Sequence, residues 1–313
     1  MSVSVRLLRE EDLAKADRVM RLAFGTFLGL PNPMDFTGDA AYIRTRWRAE
    51  PSAAFGAEVG DEIAGSNFAA NWGSVGLIGP ITTRPDLWDR GIGGRLMQPV
   101  MERLEQWGTR HHGLFTFAHS QKHVGLYQKF GFWPQFLTAI MSKPVAPAER
   151  SSGLTRFSDV SNTERQRLLE DCAEVTDAIY EGLDLRAEVR AVTQQGLGET
   201  LLLWDAGRLA GLAVCHCGAG SEAGTGVCYV KFGAARPGPR ASTHFRRLLD
   251  ACEQLAAEKN LSRLVAGVNT ARHEAYRHML ERGFRTDLQG VAMQRRNEVG
   301  YNRPGIYVID DWR

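Results

Sequence analysis

Apolar and polar positions change period repeatedly along the 313 residues, and each change outlines an element. Val3 to Leu8 alternates, which predicts a strand. Between Glu10 and Phe24 the apolar residues Leu13, Ala16, Val19, Met20 and Ala23 recur at helical spacing. Phe27 to Phe36 is apolar but broken by Gly29, Pro31 and Pro33, the pattern of a loop. Phe55 to Val59 and Ile63 to Ala70 predict a hairpin, with Ser74 to Thr82 as a third strand. Leu96, Val100, Met101, Leu104 and Trp107 mark a helix of about four turns. Leu114 to Ala118 reads as a buried strand and Val124 to Phe130 as a short helix. Antiparallel strands followed by helix, strand and helix define an α/β domain with a mixed, mostly antiparallel sheet.

The pattern then repeats. Thr83-Arg84-Pro85 follows one strand-like run, and Ala235-Arg236-Pro237 follows another 152 positions later. Gly131-Phe132 and Gly283-Phe284 close helix-like segments at the same offset, and Leu96-Met97 falls on Leu248-Leu249. Phe55 to Ser66 reads strand, turn, strand, as does Leu201 to Ala213 around Asp205-Ala206-Gly207. Four features in matching order predict a duplicated domain. Pro144, Pro147, Ser151, Ser152 and Gly153 cluster where periodicity vanishes. The expected division is therefore a first domain over 1–143, a linker over 144–153, a second domain over 154–297 and a tail over 298–313. In the tail, Ile306 to Ile309 suggests an added strand.

Composition narrows the function classes. Lys plus Arg number 38 against 36 Asp plus Glu, a net charge of +2, which argues against a nucleic-acid partner. No apolar run approaches 18 residues, so no membrane span is expected. Charges at Arg6, Arg9, Glu10, Glu11 and Asp12 sit where a signal peptide would be apolar, and a cytoplasmic location is the expectation. Five cysteines, Cys172, Cys215, Cys217, Cys228 and Cys252, form an odd set read as reduced and buried. Cys215 and Cys217 would share one strand face and His216 the other, poor geometry for one ion, so no metal is expected.

The chemically informative stretch runs from Ile81 to Met97. A strand ends, Gly91, Gly93 and Gly94 follow, and an amphipathic helix begins. Glycines let backbone N–H groups converge, and the helix start adds unpaired N–H groups and partial positive charge. Together these suit a diphosphate. Several strands precede the loop, unlike a dinucleotide-binding fold, and no Gly-Lys-Ser/Thr follows, unlike a P-loop. A tight strand-to-helix turn is the plainer alternative.

Trp88-x-x-Gly91-x-Gly93 and, downstream, Leu126-Tyr127-Gln128-Lys129-Phe130-Gly131-Phe132 resemble the phosphate loop and late helix of the GNAT superfamily of acyl-CoA-dependent N-acyltransferases. The resemblance covers about residues 3 to 143 and extends more weakly to 154–297, making the chain similar to a tandem member with a degenerate second copy. It implies transfer of an acetyl group from acetyl-CoA to an amine, by direct attack in a ternary complex. It implies that the backbone of Ile81, Thr82 and Thr83 takes the pantetheine arm and that Asp89, Arg90, Gly91, Ile92, Gly93, Gly94 and Arg95 hold the pyrophosphate. Tyr127 would protonate the departing thiolate; its alternative is a core aromatic. Trp88 replaces the family's Gln or Arg, which shifts weight to Arg90 and the main chain. Ser120 stands where the family often has Asn, and the resemblance implies that its shorter side chain bonds the pantetheine region. The strand Ser74 to Thr82 lacks the frequent Glu or His base. His119, at the end of the next strand, is the substitute because an imidazole can accept a proton near neutrality, its alternative being a surface or helix-capping histidine, with Asp35 and the pair Asp310-Asp311 behind it. His111 and His112 read as solvated.

At offset 152, Gly91 lands on Thr243, Gly93 on Phe245 and Tyr127 on Met279, so the second copy is expected to lack the chemistry. Phe27, Asp35 and Phe117, with Trp133 and Phe136 nearby, suggest an apolar or aromatic amine acceptor whose ammonium meets Asp35. The alternative function is a non-catalytic acyl-CoA-binding or sensor protein. A homodimer is compatible with either.

Overall fold

The computed structural model describes residues 2–146 and 153–313. Pro147, Ser151 and Ser152 of the expected linker lie outside them. The first half runs β1 (Val3–Leu7), α1 (Leu13–Phe27), α2 (Tyr42–Ala49), β2 (Ala54–Val59), β3 (Glu62–Trp72), β4 (Val75–Ile78), β5 (Thr82–Thr83), α3 (Ile92–Gln106), β6 (His111–Thr116), α4 (Gln121–Gln128) and β7 (Phe132–Pro144). The second half repeats this order as β8 (Leu154–Arg156), α5 (Asn162–Ile179), α6 (Arg186–Gln195), β9 (Gly198–Asp205), β10 (Arg208–Gly218), β11 (Gly224–Ala235), α7 (Ala241–Glu258), β12 (Arg263–Asn269), α8 (His273–Glu281) and β13 (Arg285–Arg295). The tail adds β14 (Val308–Ile309), antiparallel to β11.

The strand pairings join the halves. Across one sheet the order is β1-β2-β3-β4-β6-β13-β7-β12-β11-β10-β9-β8. Each half thus gives its last strand to the other: β13 pairs β6, β7 pairs β12, and β7 and β13 run antiparallel at the centre. Alternation specifies which face of a strand is buried but not its partner, so nothing in the pattern of apolar positions announced this exchange.

Side-chain caps set the local boundaries. Asp12 accepts from the Arg9 amide at 2.8 Å and from the Arg6 guanidinium, fixing the entry to α1. That helix therefore begins at Leu13, after a single 3-10 turn, and not at Glu10. The expected third strand is split. β4 pairs β3 as far as Ile78, Pro80 offers no N–H to continue the ladder, and pairing resumes on β3 only at Thr82. Helices α2, α5 and α6 carry no strong signal in the sequence pattern, α2 being only 8 residues long.

Packing follows the same plan. Leu96, Met97, Val100 and Leu104 of α3 fill one face of the first half, and Leu248, Leu249, Cys252 and Leu255 of α7 fill the matching face of the second. A shared core joins them: Trp72, Val75 and Leu77 pack with Val189, Leu212, Phe232, Tyr301 and Trp312. The cysteines are free. Cys215 and Cys252 Sγ lie 3.9 Å apart and Cys217 and Cys228 Sγ 3.8 Å, all on the α7 side, with His216 buried on the other face. His111 and His112 are not solvated: both sit on β6 and are buried. Among the described residues no helix is long and apolar enough to cross a membrane.

Candidate active site

β4 and β6 are parallel and pair only from Val75–His111 to Ile78–Leu114. Beyond that point they diverge, and a cleft of about 760 Å³ opens between Ile78–Thr83 on one side and Phe115–Phe117 on the other. The start of α3 forms one end and α4 a wall. β5 bonds β3 on one edge, and Ile81, Thr82 and Thr83 line the cleft on the other, leaving backbone groups for an extended ligand.

At the α3 end, Gly91 takes φ +76° as the residue preceding the helix. The amides of Ile92, Gly93 and Gly94 have no acceptor among the described residues. A Cβ added at Gly91 or Gly94 would meet nothing within 4 Å and one at Gly93 only Leu126 Cδ2 at 3.2 Å, and all three glycines line the cleft. That is room for an anion of diphosphate size at a helix dipole. Trp88 has a role of its own: its Nε1 donates to the Thr83 carbonyl at 2.8 Å and ties the loop to the strand end. Lys122 pairs with Asp89 at 2.7 Å and lies 5.3 Å over the Trp88 ring, bridging α4 and the loop. Arg95 does not belong here. Its amide bonds the Gly91 carbonyl and its guanidinium reaches Val3 on β1, because its position on α3 turns it away from the cleft. Arg90 is exposed and outside the cleft lining.

Tyr127 lines the same cleft from α4 and is only 5% exposed. Burial pushes its phenol well above the ordinary range, opposed by a hydrogen bond with Thr116, so it keeps its proton at neutral pH. Ser120 also lines the cleft, but its Oγ accepts from the His123 amide at 3.3 Å as the N-cap of α4.

The aromatic end assembles Phe24, Phe27, Phe36, Phe115 and Phe117. Phe27 and Phe117 lie 4.8 Å apart, and Phe24 stacks on Phe36 at 5.1 Å. His119 is exposed, stacked 5.6 Å from Phe27, and absent from the cleft wall. His123 takes the inner position, 4.7 Å from Phe27. Burial, aided by Lys122 and His119, lowers its pKa and favours the neutral, proton-accepting ring. His119 stands in the turn before α4 and His123 within the helix, so the two rings point differently although only four residues separate them. Asp35 is also displaced: it is exposed, bonded to Asn32 at 2.8 Å, and does not line the cleft. Trp133 and Phe136 are exposed and outside it.

The second half and tail complete the walls. Leu288 of β13 and Trp312 and Arg313 of the tail line the cleft, and Trp312 and Arg313 also border a side chamber of about 90 Å³. The chamber is edged by Arg46, Glu188, Tyr229 and Lys231. Lys231 bonds Glu188 at 3.1 Å and Glu222 at 3.0 Å, and Arg46 pairs with Glu222 at 3.2 Å. Burial raises the pKa of Glu222, but Arg46 and Lys231 outweigh it and hold the carboxyl well below its usual range. Asp310 and Asp311 are buried in the tail, Asp310 on Arg272 at 2.6 Å and Asp311 on Tyr229 at 3.1 Å, and neither lines the cleft.

Residues 19–132 match the family model for acetyltransferases of the GNAT family. This part of the chain is a GNAT-family domain. GNAT-like architecture extends over nearly all of the chain. A candidate acetyltransferase from Pyrococcus horikoshii is 15% identical over 99% of this chain and 95% of its own, with a TM-score of 0.70. A GCN5-related N-acetyltransferase from Sphaerobacter thermophilus is 16% identical over 97% of both chains, with a TM-score of 0.62. One from Kribbella flavida is 15% identical over 94% of this chain and 70% of its own, at 0.53. At these identities the likeness concerns the fold. No curated protein matches the sequence. The GNAT assignment supports acyl transfer in general terms.

In the second half the GNAT cradle is replaced. Offset by 152, Ile92 corresponds to His244, yet α7 begins at Ala241, almost one turn earlier. The extra turn, Ala241 to Thr243, stands where Asp89 to Gly91 form the loop. Phe245, expected to obstruct a cradle, is instead fully buried in the core beneath the helix. Met279, at the position of Tyr127, is also buried there, and Tyr276 packs against the same core.

Proposed function

We propose that the chain is an acetyl-CoA-dependent N-acetyltransferase working from the first-half cleft. One observation carries the reading: a single cleft joins an unobstructed set of helix-start amides to a buried, protonated phenol. The amides of Ile92, Gly93 and Gly94 hold the diphosphate, and Ile81 to Thr83 hydrogen-bond the pantetheine arm as an added strand. The acceptor nitrogen attacks the thioester carbonyl and the C–S bond breaks. The nitrogen's proton passes to His123, directly or through one water, and Tyr127 protonates the leaving sulfur. The two proton transfers balance, and no covalent intermediate on the enzyme is required.

The acceptor is a small apolar or aromatic amine. Support comes from the phenylalanine walls and from charge: Asp89, at the opposite end, is the only carboxylate among the described residues lining the cleft. A polycationic acceptor would need several.

The test pairs calorimetry of coenzyme A binding with thiol release from acetyl-CoA across an amine panel. Tyr127→Phe should retain coenzyme affinity and lose about 10²- to 10⁴-fold in turnover. No binding heat, or equal turnover by Tyr127→Phe, overturns the proposal. Binding without turnover of any amine would favour a sensor.

A further inference from the structure

The extra turn that replaces the cradle in the second half carries a serine with its own constellation. Ser242 Oγ lies 2.8 Å from His278 Nε2, and His278 Nδ1 lies 2.9 Å from Glu281 Oε2. A carboxylate only accepts, so Nδ1 bears the ring proton and Nε2 is left to take the hydroxyl proton of Ser242. That tautomer is the one a serine nucleophile needs from its base. The imidazole is buried and sandwiched: Tyr307 stacks on it at 6.0 Å and Phe245 tilts against it at 6.5 Å. Ser242 is half-buried and Glu281 exposed.

Donors for an oxyanion stand next to the hydroxyl. Ser242 and Thr243 lie in the first turn of the 18-residue α7, and their amides have no acceptor among the described residues, whereas those of Ala241 and His244 bond the Gly238 and Arg240 carbonyls. Two free N–H groups beside the attacking oxygen are the arrangement that stabilises a tetrahedral intermediate.

We propose that Ser242, His278 and Glu281 form a second reactive site, in which Ser242 hydrolyses small, sterically open acyl esters independently of the coenzyme cleft. Ser242 Oγ forms a bond to the ester carbonyl carbon as its proton moves to His278 Nε2. The C–O bond to the alcohol breaks, and His278 returns the proton to the departing oxygen. Water then attacks the acyl-serine, giving up a proton to His278, which passes it back to Ser242 as the acid leaves. Ser242 is the nucleophile, His278 the base and acid, and Glu281 a positioning residue that fixes the tautomer.

The full chain should be treated with a fluorophosphonate, which phosphonylates an activated serine with loss of fluoride, and assayed with 4-nitrophenyl acetate. The expected result is one phosphonyl adduct mapped to Ser242, absent in Ser242→Ala, with labelling slowed about 100-fold in His278→Gln. Glu281→Gln, at an exposed position safe for folding, should slow labelling at least about 10-fold. Tyr127→Phe should label like wild type, which separates this site from the coenzyme cleft. A wild-type chain left unlabelled by excess probe, or ester hydrolysis equal in wild type and Ser242→Ala, overturns the proposal.

Discussion

The starts of α3 and α7 occupy corresponding places in two copies of one element order, yet they differ in what they can hold. At α3 a glycine in the left-handed region precedes the helix, and the next three amides have no acceptor among the described residues. At α7 the helix is extended by Ala241, Ser242 and Thr243, and no glycine directly precedes it. Three residues of helix separate a glycine loop with room for a diphosphate from a helix start without one. Folds of this kind tolerate the change because the core-facing residues of both helices, Leu96-Met97 and Leu248-Leu249, are untouched by it. The second copy therefore lacks the diphosphate cradle while keeping its core, and together with the tail it walls the first copy's cleft through Leu288, Trp312 and Arg313.

The strongest way to break this division of labour is to cut the ionic link between the copies. Glu222→Ala removes a fully buried carboxylate shared by Arg46 of the first half and Lys231 of the second, leaving Lys231 with Glu188 alone. It should cost about 3–5 kcal/mol, read by denaturant unfolding. A loss below about 1 kcal/mol would mean that the halves do not depend on this contact.

Acid provides the next largest effect and asks which copy yields. Burial holds His111 on β6 and His216 on β10 at pKa values of about 4, against 6.5 for free histidine. Between pH 6.5 and 4 the unfolded chain binds protons that the folded chain refuses, so stability falls as pH drops through that window. Each ring accounts for up to about 3 kcal/mol of this loss. His111→Gln should flatten part of the slope in a series of melting curves, leaving the share due to His216.

Gly94→Glu tests the cradle more narrowly. Gly94 has open space at its Cβ and no left-handed φ, so the helix should persist while a carboxylate enters the anion site. Coenzyme A should bind at least about 100-fold more weakly, roughly 2.7 kcal/mol, with an unchanged melting point. The smallest effect belongs to Lys122→Met. The Lys122–Asp89 pair is exposed, and its second-half counterparts are Glu274 and Ala241, which form no such pair. Stability should change by less than about 1 kcal/mol.

The sequence made the duplication legible because the offset of 152 carries through α4 and α8 and through β6 and β12. It also exposed the glycine loop and Tyr127, whose residue types act locally. What it concealed depends on distance along the chain. Trp312 and Arg313 reach the cleft from more than 180 residues beyond Tyr127, and no local pattern marks them. His119 precedes α4 and His123 lies within it, and only the folded turn between them shows which ring enters the cleft. Arg95 and Asp35 carry suitable charges but are drawn to Val3 and Asn32, partners that only the folded backbone supplies.

The exchange of β7 and β13 bears on how the protein is made. β6 emerges from the ribosome early but finds its neighbour β13 nearly 180 residues later. Until then the amino-terminal copy exposes an unpaired edge, a template for pairing with other chains, and neither copy can mature alone. Such long-range closure slows folding. Folding therefore includes an obligatory handover, in which both β7 and β13 must be present before either copy takes its final shape.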